Sequence, residues 1–137
     1  MAALTNERNT KRRPGSLRTV PVAAGVKIFN GALVVVDATG YGRPGRVSTT
    51  DKALGRATET VDNTAGAAGD LAVTVETGVF AYGNSAAADL VARKDIGANA
   101  YIVDDQTVAL TDGTATRSVA GKIFDVDSDG VWIGFNH

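Results

Sequence analysis

Residues 71–80, Leu71-Ala72-Val73-Thr74-Val75-Glu76-Thr77-Gly78-Val79-Phe80, constrain the fold more than any other part of this chain. Leu71, Val73, Val75 and Val79 fall on one side of an extended backbone, and Thr74 and Glu76 fall on the other. Successive strand side chains point to opposite faces, so this period of two predicts a strand with one buried face. A strand with one apolar face needs a second layer to cover it. The rest of the chain offers more strands rather than helices for that layer.

Val26-Lys27-Ile28-Phe29 reads as a strand, Asn30-Gly31 as a turn, and Ala32-Leu33-Val34-Val35-Val36 as a second, β-branched strand. Residues 37–45 form a glycine-rich loop in which Pro44 and three glycines exclude a helix or a central strand. Ala53-Leu54-Gly55-Arg56-Ala57 begins another strand, and residues 62–70 form a second flexible loop. Asn84-Ser85-Ala86-Ala87-Ala88-Asp89-Leu90-Val91 predicts one short helix, with Asn84 or Ser85 as its cap and its end before Gly97. Residues 101–104 and 107–110 read as strands. Residues 119–126 and 131–135 read as a terminal hairpin around Asp127-Ser128-Asp129-Gly130. The expected fold is all-β, a small barrel or sandwich-like module. The expected organisation is an extended basic N-terminal arm over residues 1–19 and a single β domain over residues 20–137.

The arm rests on charge. Arg8, Lys11, Arg12, Arg13 and Arg18 lie in the first eighteen residues, opposed only by Glu7, and no apolar periodicity supports a core there. The imbalance extends further. Residues 1–56 hold ten Lys/Arg against three Asp/Glu, and residues 57–137 hold four against twelve. A basic end of this kind suits an acidic protein surface, nucleic acid, or the acidic half of a neighbouring copy. The arm has no aromatics, no recognition helix accompanies it, and the body is acidic, so direct nucleic-acid binding is not expected. No apolar run is long enough to span a bilayer and no apolar leader precedes the arm, so no membrane partner is expected and synthesis in a cytoplasm is.

The chain is poorly equipped for catalysis. It has no cysteine, and its one histidine is the last residue, His137. Nucleophile–histidine arrangements and Cys/His zinc sites therefore lack their parts. Asp104 and Asp105 are adjacent carboxylates, but neighbours on a strand point apart. The chain is not expected to be an enzyme, and no cofactor is expected. Asp125, Asp127, Asp129 and Gly130 make D-x-D-x-D-G, the opening half of a calcium loop. The twelfth position is Asn136 rather than a bidentate Glu, and the flanks are strand-like, so a hairpin turn is the preferred reading over a weak divalent site. Gly40-Tyr41-Gly42-Arg43-Pro44-Gly45 lacks the lysine and hydroxyl of a phosphate loop. Tyr41, Arg43 and Arg46 are instead candidate loop contacts to a protein or phosphate surface. Trp132 points opposite to Val131 and Ile133 and reads as a cap on the core of the barrel in preference to an interface residue.

Four stretches in order carry a resemblance. They are Asn30-Gly31-Ala32-Leu33-Val34 with Ala53-Leu54-Gly55-Arg56-Ala57; Ala68-Gly69-Asp70 leading into Thr77-Gly78-Val79-Phe80; residues 97–108 around Tyr101-Ile102-Val103-Asp104-Asp105; and residues 120–133 from Ala120-Gly121-Lys122 to Trp132-Ile133. Together they resemble the capsid cement, or head decoration, proteins of tailed bacteriophages, of the β-tulip type, over residues 20–135. The resemblance implies a β-tulip-like module on the outer surface of the expanded capsid. It implies a homotrimer, with a dimer as the alternative, that bridges major capsid protein subunits and stabilises the shell. It implies a virion protein made in the host cytoplasm. The basic arm residues Arg8, Lys11, Arg12, Arg13 and Arg18 are then the expected capsid or subunit contacts. Two other readings stand beside this one. The first is a particle-displayed β module recognising carbohydrate or a cell surface. The second is a nucleic-acid-associated protein using the arm.

Overall fold

A computed structural model describes residues 2–135. It is all-β, as expected, and has the layered form of a small sandwich. Twelve strands follow one another: β1 Leu17–Pro21, β2 Lys27–Ile28, β3 Leu33–Val36, β4 Gly42–Pro44, β5 Lys52–Ala57, β6 Val61–Asp62, β7 Ala72–Glu76, β8 Gly78–Tyr82, β9 Asn99–Ile102, β10 Val108–Ala109, β11 Val119–Asp127 and β12 Gly130–Phe135. They form a five-stranded sheet in the order β1-β7-β5-β3-β4, a second in the order β10-β9-β11-β12-β8, and a ribbon of β2 and β6. All strand pairs are antiparallel.

The first sheet is covered on both faces, which explains the unbroken apolar run in β3. Leu33 and Val35 join Ile102, Ile123, Val131 and Ile133 in the core toward the second sheet. Val34 points the other way and joins Val20, Val73, Val75 and the ribbon residues Ile28 and Val61. A strand buried on both faces reads as continuous hydrophobics rather than as alternation. Leu33, Val34 and Val35 are all 0% exposed. Burying each contributes about 1.5–3 kcal/mol relative to exposure. The open margin between the sheets is closed by Phe80, Tyr82 and Phe135, with Tyr82 meeting Phe135 edge-on at 6.0 Å. Arg56 from the first sheet lies over the Phe80 ring at 5.4 Å.

Residues 71–80 differ from the single strand their alternation predicts. β7 ends at Glu76 in the first sheet, and β8 begins at Gly78 in the second. Gly78, at φ +149°, makes the change of sheet, a backbone region that side chains with a Cβ rarely adopt. Val73 and Val75 are buried as expected, but Leu71 and Val79 are 43% and 39% exposed. The expected short helical passage is present only as a 3-10 turn within residues 84–91, followed by a second one. Ala87–Asp89 and Arg93–Asp95 are single 3-10 turns. Ala87 sits at φ +56° and Leu90 is extended, so the helix cannot propagate. Asn84 organises this passage differently from a cap. Its side-chain amide donates to the Val91 carbonyl and its oxygen accepts from the Ser85 and Val91 amides. The terminal hairpin is present, with Val126 opposite Val131 and Asp127 opposite Gly130.

The arm is shorter than residues 1–19. β1 starts at Leu17 and pairs in register with β7, placing Arg18 opposite Val75 and Thr19 opposite Thr74. The alternating partners on β7 reward pairing up to Leu17, and Pro14 removes a donor just beyond.

Candidate functional site

Residues 2–17 are exposed throughout. The arm meets the body at its inner end, where the Thr77 amide donates to the Ser16 carbonyl and the Thr77 hydroxyl to the Gly15 carbonyl. Arg8, Lys11, Arg12 and Arg13 lie beyond that anchor and enter none of the ion pairs formed among the described residues. Arg18 is separated from them. It lies within β1, half-buried, on the same side of the strand as Val20.

The glycine-rich loop is built around a carboxylate that the sequence reading left unassigned. Asp37 is 9% exposed and accepts from the Thr39 hydroxyl at 2.6 Å, the Thr39 amide at 3.0 Å, the Tyr41 amide at 3.1 Å and Arg43 Nε at 2.6 Å. Burial works against its charge, but hydrogen bonds from Thr39 and Arg43, then from the Tyr41 and Thr39 amides, outweigh it. Its carboxyl is held well below the ordinary value. Asp51 plays the same part nearby. It is 3% exposed and grips Arg46 with both oxygens, at 2.6 and 3.2 Å. Arg43 and Arg46 are therefore each tied to a carboxylate of the same chain, with side chains 29% and 46% exposed, while Tyr41 stays half-buried at the loop. Each acid lies within six residues of its arginine, but that spacing matches no recognised motif.

The D-x-D-x-D-G segment is the end of a hairpin: Asp125 and Asp127 lie on β11, Ser128 and Asp129 make the turn, and Gly130 opens β12. The Asp127 side chain accepts from the Asp129 amide at 2.9 Å, and Asp125 accepts from the Val126 amide at 2.8 Å. Among the described residues no three His, Cys, Asp or Glu side chains are placed to share a metal ion. Asn136, the twelfth position, and His137 lie outside the described residues.

Asp104 and Asp105 belong to a turn after β9 rather than to a strand. Asp104 accepts from the Gln106 amide. Asp105 is half-buried, and burial, with a smaller push from the Asp104 charge, raises its carboxyl above the ordinary value. It borders a cleft of about 440 Å³ lined by Phe29, Asn30, Gly31, Ala32 and Gln106. Phe29 is 54% exposed there, with the Lys27 ammonium 4.9 Å from its ring centre. The only sequence signal for this cleft was an aromatic directly before an Asn-Gly turn.

Trp132 lies on the outer face of the second sheet, opposite Asp125 on β11 and Ala81 on β8. It is half-buried, and its indole N–H is shielded from solvent without a hydrogen-bond partner. It belongs to neither core cluster, so the core position expected from sequence is not the one it takes: the alternation of β12 gives the core to Val131 and Ile133 and turns Trp132 to the outer face.

No protein-family model, curated protein or solved structure matches this chain. No helix among the described residues is long and apolar enough to cross a membrane.

Proposed function

We propose that this chain is a structural virion protein that binds the outer surface of an expanded phage capsid and stabilises it by bridging major capsid protein subunits. One observation carries the reading: an exposed cationic arm whose charges have no partner among the described residues, fixed to a small body whose buried acids are already matched. An arm of this kind gains order and counter-charges only by meeting another surface. Repetition of that surface on a lattice multiplies weak single contacts into stable attachment. In this reading the protein assembles as a trimer, with a dimer as the alternative, and no enzymatic step is involved. Co-sedimentation with expanded capsids lacking the protein is the test. Saturable binding at a fixed copy number per shell is expected, and the ratio reports the symmetry site. A folded protein that stays in the supernatant overturns the proposal.

A second reading draws on the cleft beside Phe29. An exposed aromatic face next to Asn30, Asp105 and Gln106 combines stacking with hydrogen-bonding groups, as carbohydrate recognition requires. Glycan binding that is lost in Phe29→Ala, with capsid attachment absent, would favour a particle-displayed carbohydrate-binding module.

A further inference from the structure

Four strands form the edges of the two large sheets, and three of them are protected. β1 carries Arg18 and Pro21, β4 carries Arg43 and Pro44, and β10 is two residues long. Charges, prolines and short length are the devices that keep an edge from pairing with another chain. β8 has none of them: Gly78-Val79-Phe80-Ala81-Tyr82 is five residues long, with no charge and no proline. Its inner side pairs with β12. Among the described residues, loop backbone hydrogen bonds reach only Thr77 and Gly83, just outside its two ends.

The face beside this edge is also unfinished. Val79 and Trp132 lie on the outer surface of the sheet, and Trp132 keeps its shielded indole N–H without an acceptor. Asp125 sits directly across from Trp132 on β11, and Asp127 and Asp129 follow at the hairpin turn. None of these three carboxylates enters an ion pair among the described residues. Apolar surface, an open strand edge and an orphan donor thus adjoin one another, and the unmatched negative charge lies two strands in from that edge, on β11 and its turn.

We propose that β8 and the Trp132 face receive the N-terminal arm of a second copy of this chain, added as an extra strand with its arginines toward Asp125, Asp127 and Asp129. The arm has the complementary charge, and residues 2–13 contain neither proline nor glycine. Backbone pairing supplies affinity in such strand addition, and alternate side chains supply selectivity. A strand added at β8 lies three strand spacings, about 14 Å, from β11, so an arginine reaches across Ala81 to the Trp132 indole face while the carboxylates attract it at longer range. Reach is sufficient, because an extended chain spans about 3.3 Å per residue, roughly 40 Å over residues 2–13. The donor is another copy rather than the same one. The chain's own arm is anchored at Thr77, the residue before β8, and the backbone bends at Gly15 and Ser16 before β1 begins. This inference concerns the free protein and stands apart from the capsid reading.

Sedimentation equilibrium of the full chain, without capsids, tests it. Association should rise with protein concentration and weaken with salt. It should fall at least tenfold both in Val79→Lys and in the double variant Arg12→Ala/Arg13→Ala, with far-UV circular dichroism unchanged. The single tryptophan, Trp132, should report association by a shift in its emission. A monomer at every concentration in low salt overturns the proposal, and so does association that Val79→Lys leaves intact. Loss in Val79→Lys without loss in the arginine variant overturns the arm as occupant. The natural absence of cysteine permits a second measurement. Oxidising a mixture of Val79→Cys and Arg12→Cys chains should yield the mixed dimer. Val79→Cys homodimers alone would instead indicate edge-to-edge pairing and overturn the proposal.

Discussion

Replacing Asp37 by alanine probes the strongest polar centre in the body. The substitution removes an acceptor that receives four hydrogen bonds and leaves Arg43 without its carboxylate. The Asp37 side chain is 6% exposed and that of Arg43 is 29% exposed, so the pair is largely withdrawn from water. Breaking a buried pair by deleting one partner costs about 3–5 kcal/mol. The partial exposure of Arg43 lets solvent recover some of that, placing the expected loss near the lower end, about 3 kcal/mol. For a chain of this size that lowers the unfolding temperature by about 10 °C. Asp37→Asn keeps an oxygen for the loop amides but loses the charge, and about half the effect is expected. Acid supplies an internal check. The native carboxyl titrates below its unfolded value of 3.8, so the native state holds fewer protons between the two values. The stability this group contributes is complete above the unfolded value and disappears as pH falls through the lower, native one. Urea unfolding of wild type and Asp37→Ala should therefore differ by about 3 kcal/mol near neutral pH and converge in strong acid. A difference below about 1 kcal/mol near neutrality, or one that acid leaves unchanged, would refute the reasoning.

Three further outcomes follow from the same structure. Gly55 sits at φ +148°, and an added Cβ would lie 2.2 Å from the Glu76 carbonyl oxygen; Gly55→Ala should cost about 3 kcal/mol or more in urea unfolding, and a loss under about 1 kcal/mol would show that β5 and β7 are not so close. Tyr82 is 5% exposed and its hydroxyl has no partner, so Tyr82→Phe should leave stability unchanged or raise it by up to about 1 kcal/mol in a thermal melt. A clear decrease would mean that the hydroxyl is bonded after all. Deleting residues 2–13 spares the Gly15 and Ser16 links to Thr77 and should change stability by less than about 0.5 kcal/mol, while reducing capsid occupancy. Arg12→Ala/Arg13→Ala should reduce occupancy more at low salt than at high salt. Unchanged occupancy after the deletion would remove the arm from the attachment mechanism.

Local pattern was enough to identify the fold class because each strand carries its own signal. The β-branched run in β3 and the alternation in β7 are properties of neighbouring residues. What escaped was set at a distance. The alternation continues past Gly78 as if nothing happened, yet the chain changes sheets there and Val79 turns outward. The alanines at 86–88 favour a helix locally, but Leu90 is extended and the Asn84 side chain ties back to Val91, so the passage stops at a single 3-10 turn. Arg43 and Arg46 look free in a loop because only the folded backbone brings Asp37 and Asp51 onto them. The arm was legible for the opposite reason. It lacks the apolar periodicity that a packed element needs, and residues 2–17 are exposed.

The distribution of charge separates the two surfaces proposed for the arm. The five ion pairs among the described residues all join body residues. Two of them fix the glycine-rich loop and the segment after it from within. Among the charges left outside these pairs are the positive charges of the arm and the negative charges around the β11–β12 turn, with no pair joining the two groups in one molecule. Charge left over in this way is available to steer and hold a partner molecule. A capsid surface and a second copy of the chain both meet that need, and both contacts weaken with salt. Val79 distinguishes them. It bears on strand addition at β8 and has no part in holding the arm's own charges. If Val79→Lys abolishes self-association while arm-dependent capsid binding persists, the arm serves two partners in turn. If both are lost together, attachment to the shell requires copies already linked through their arms.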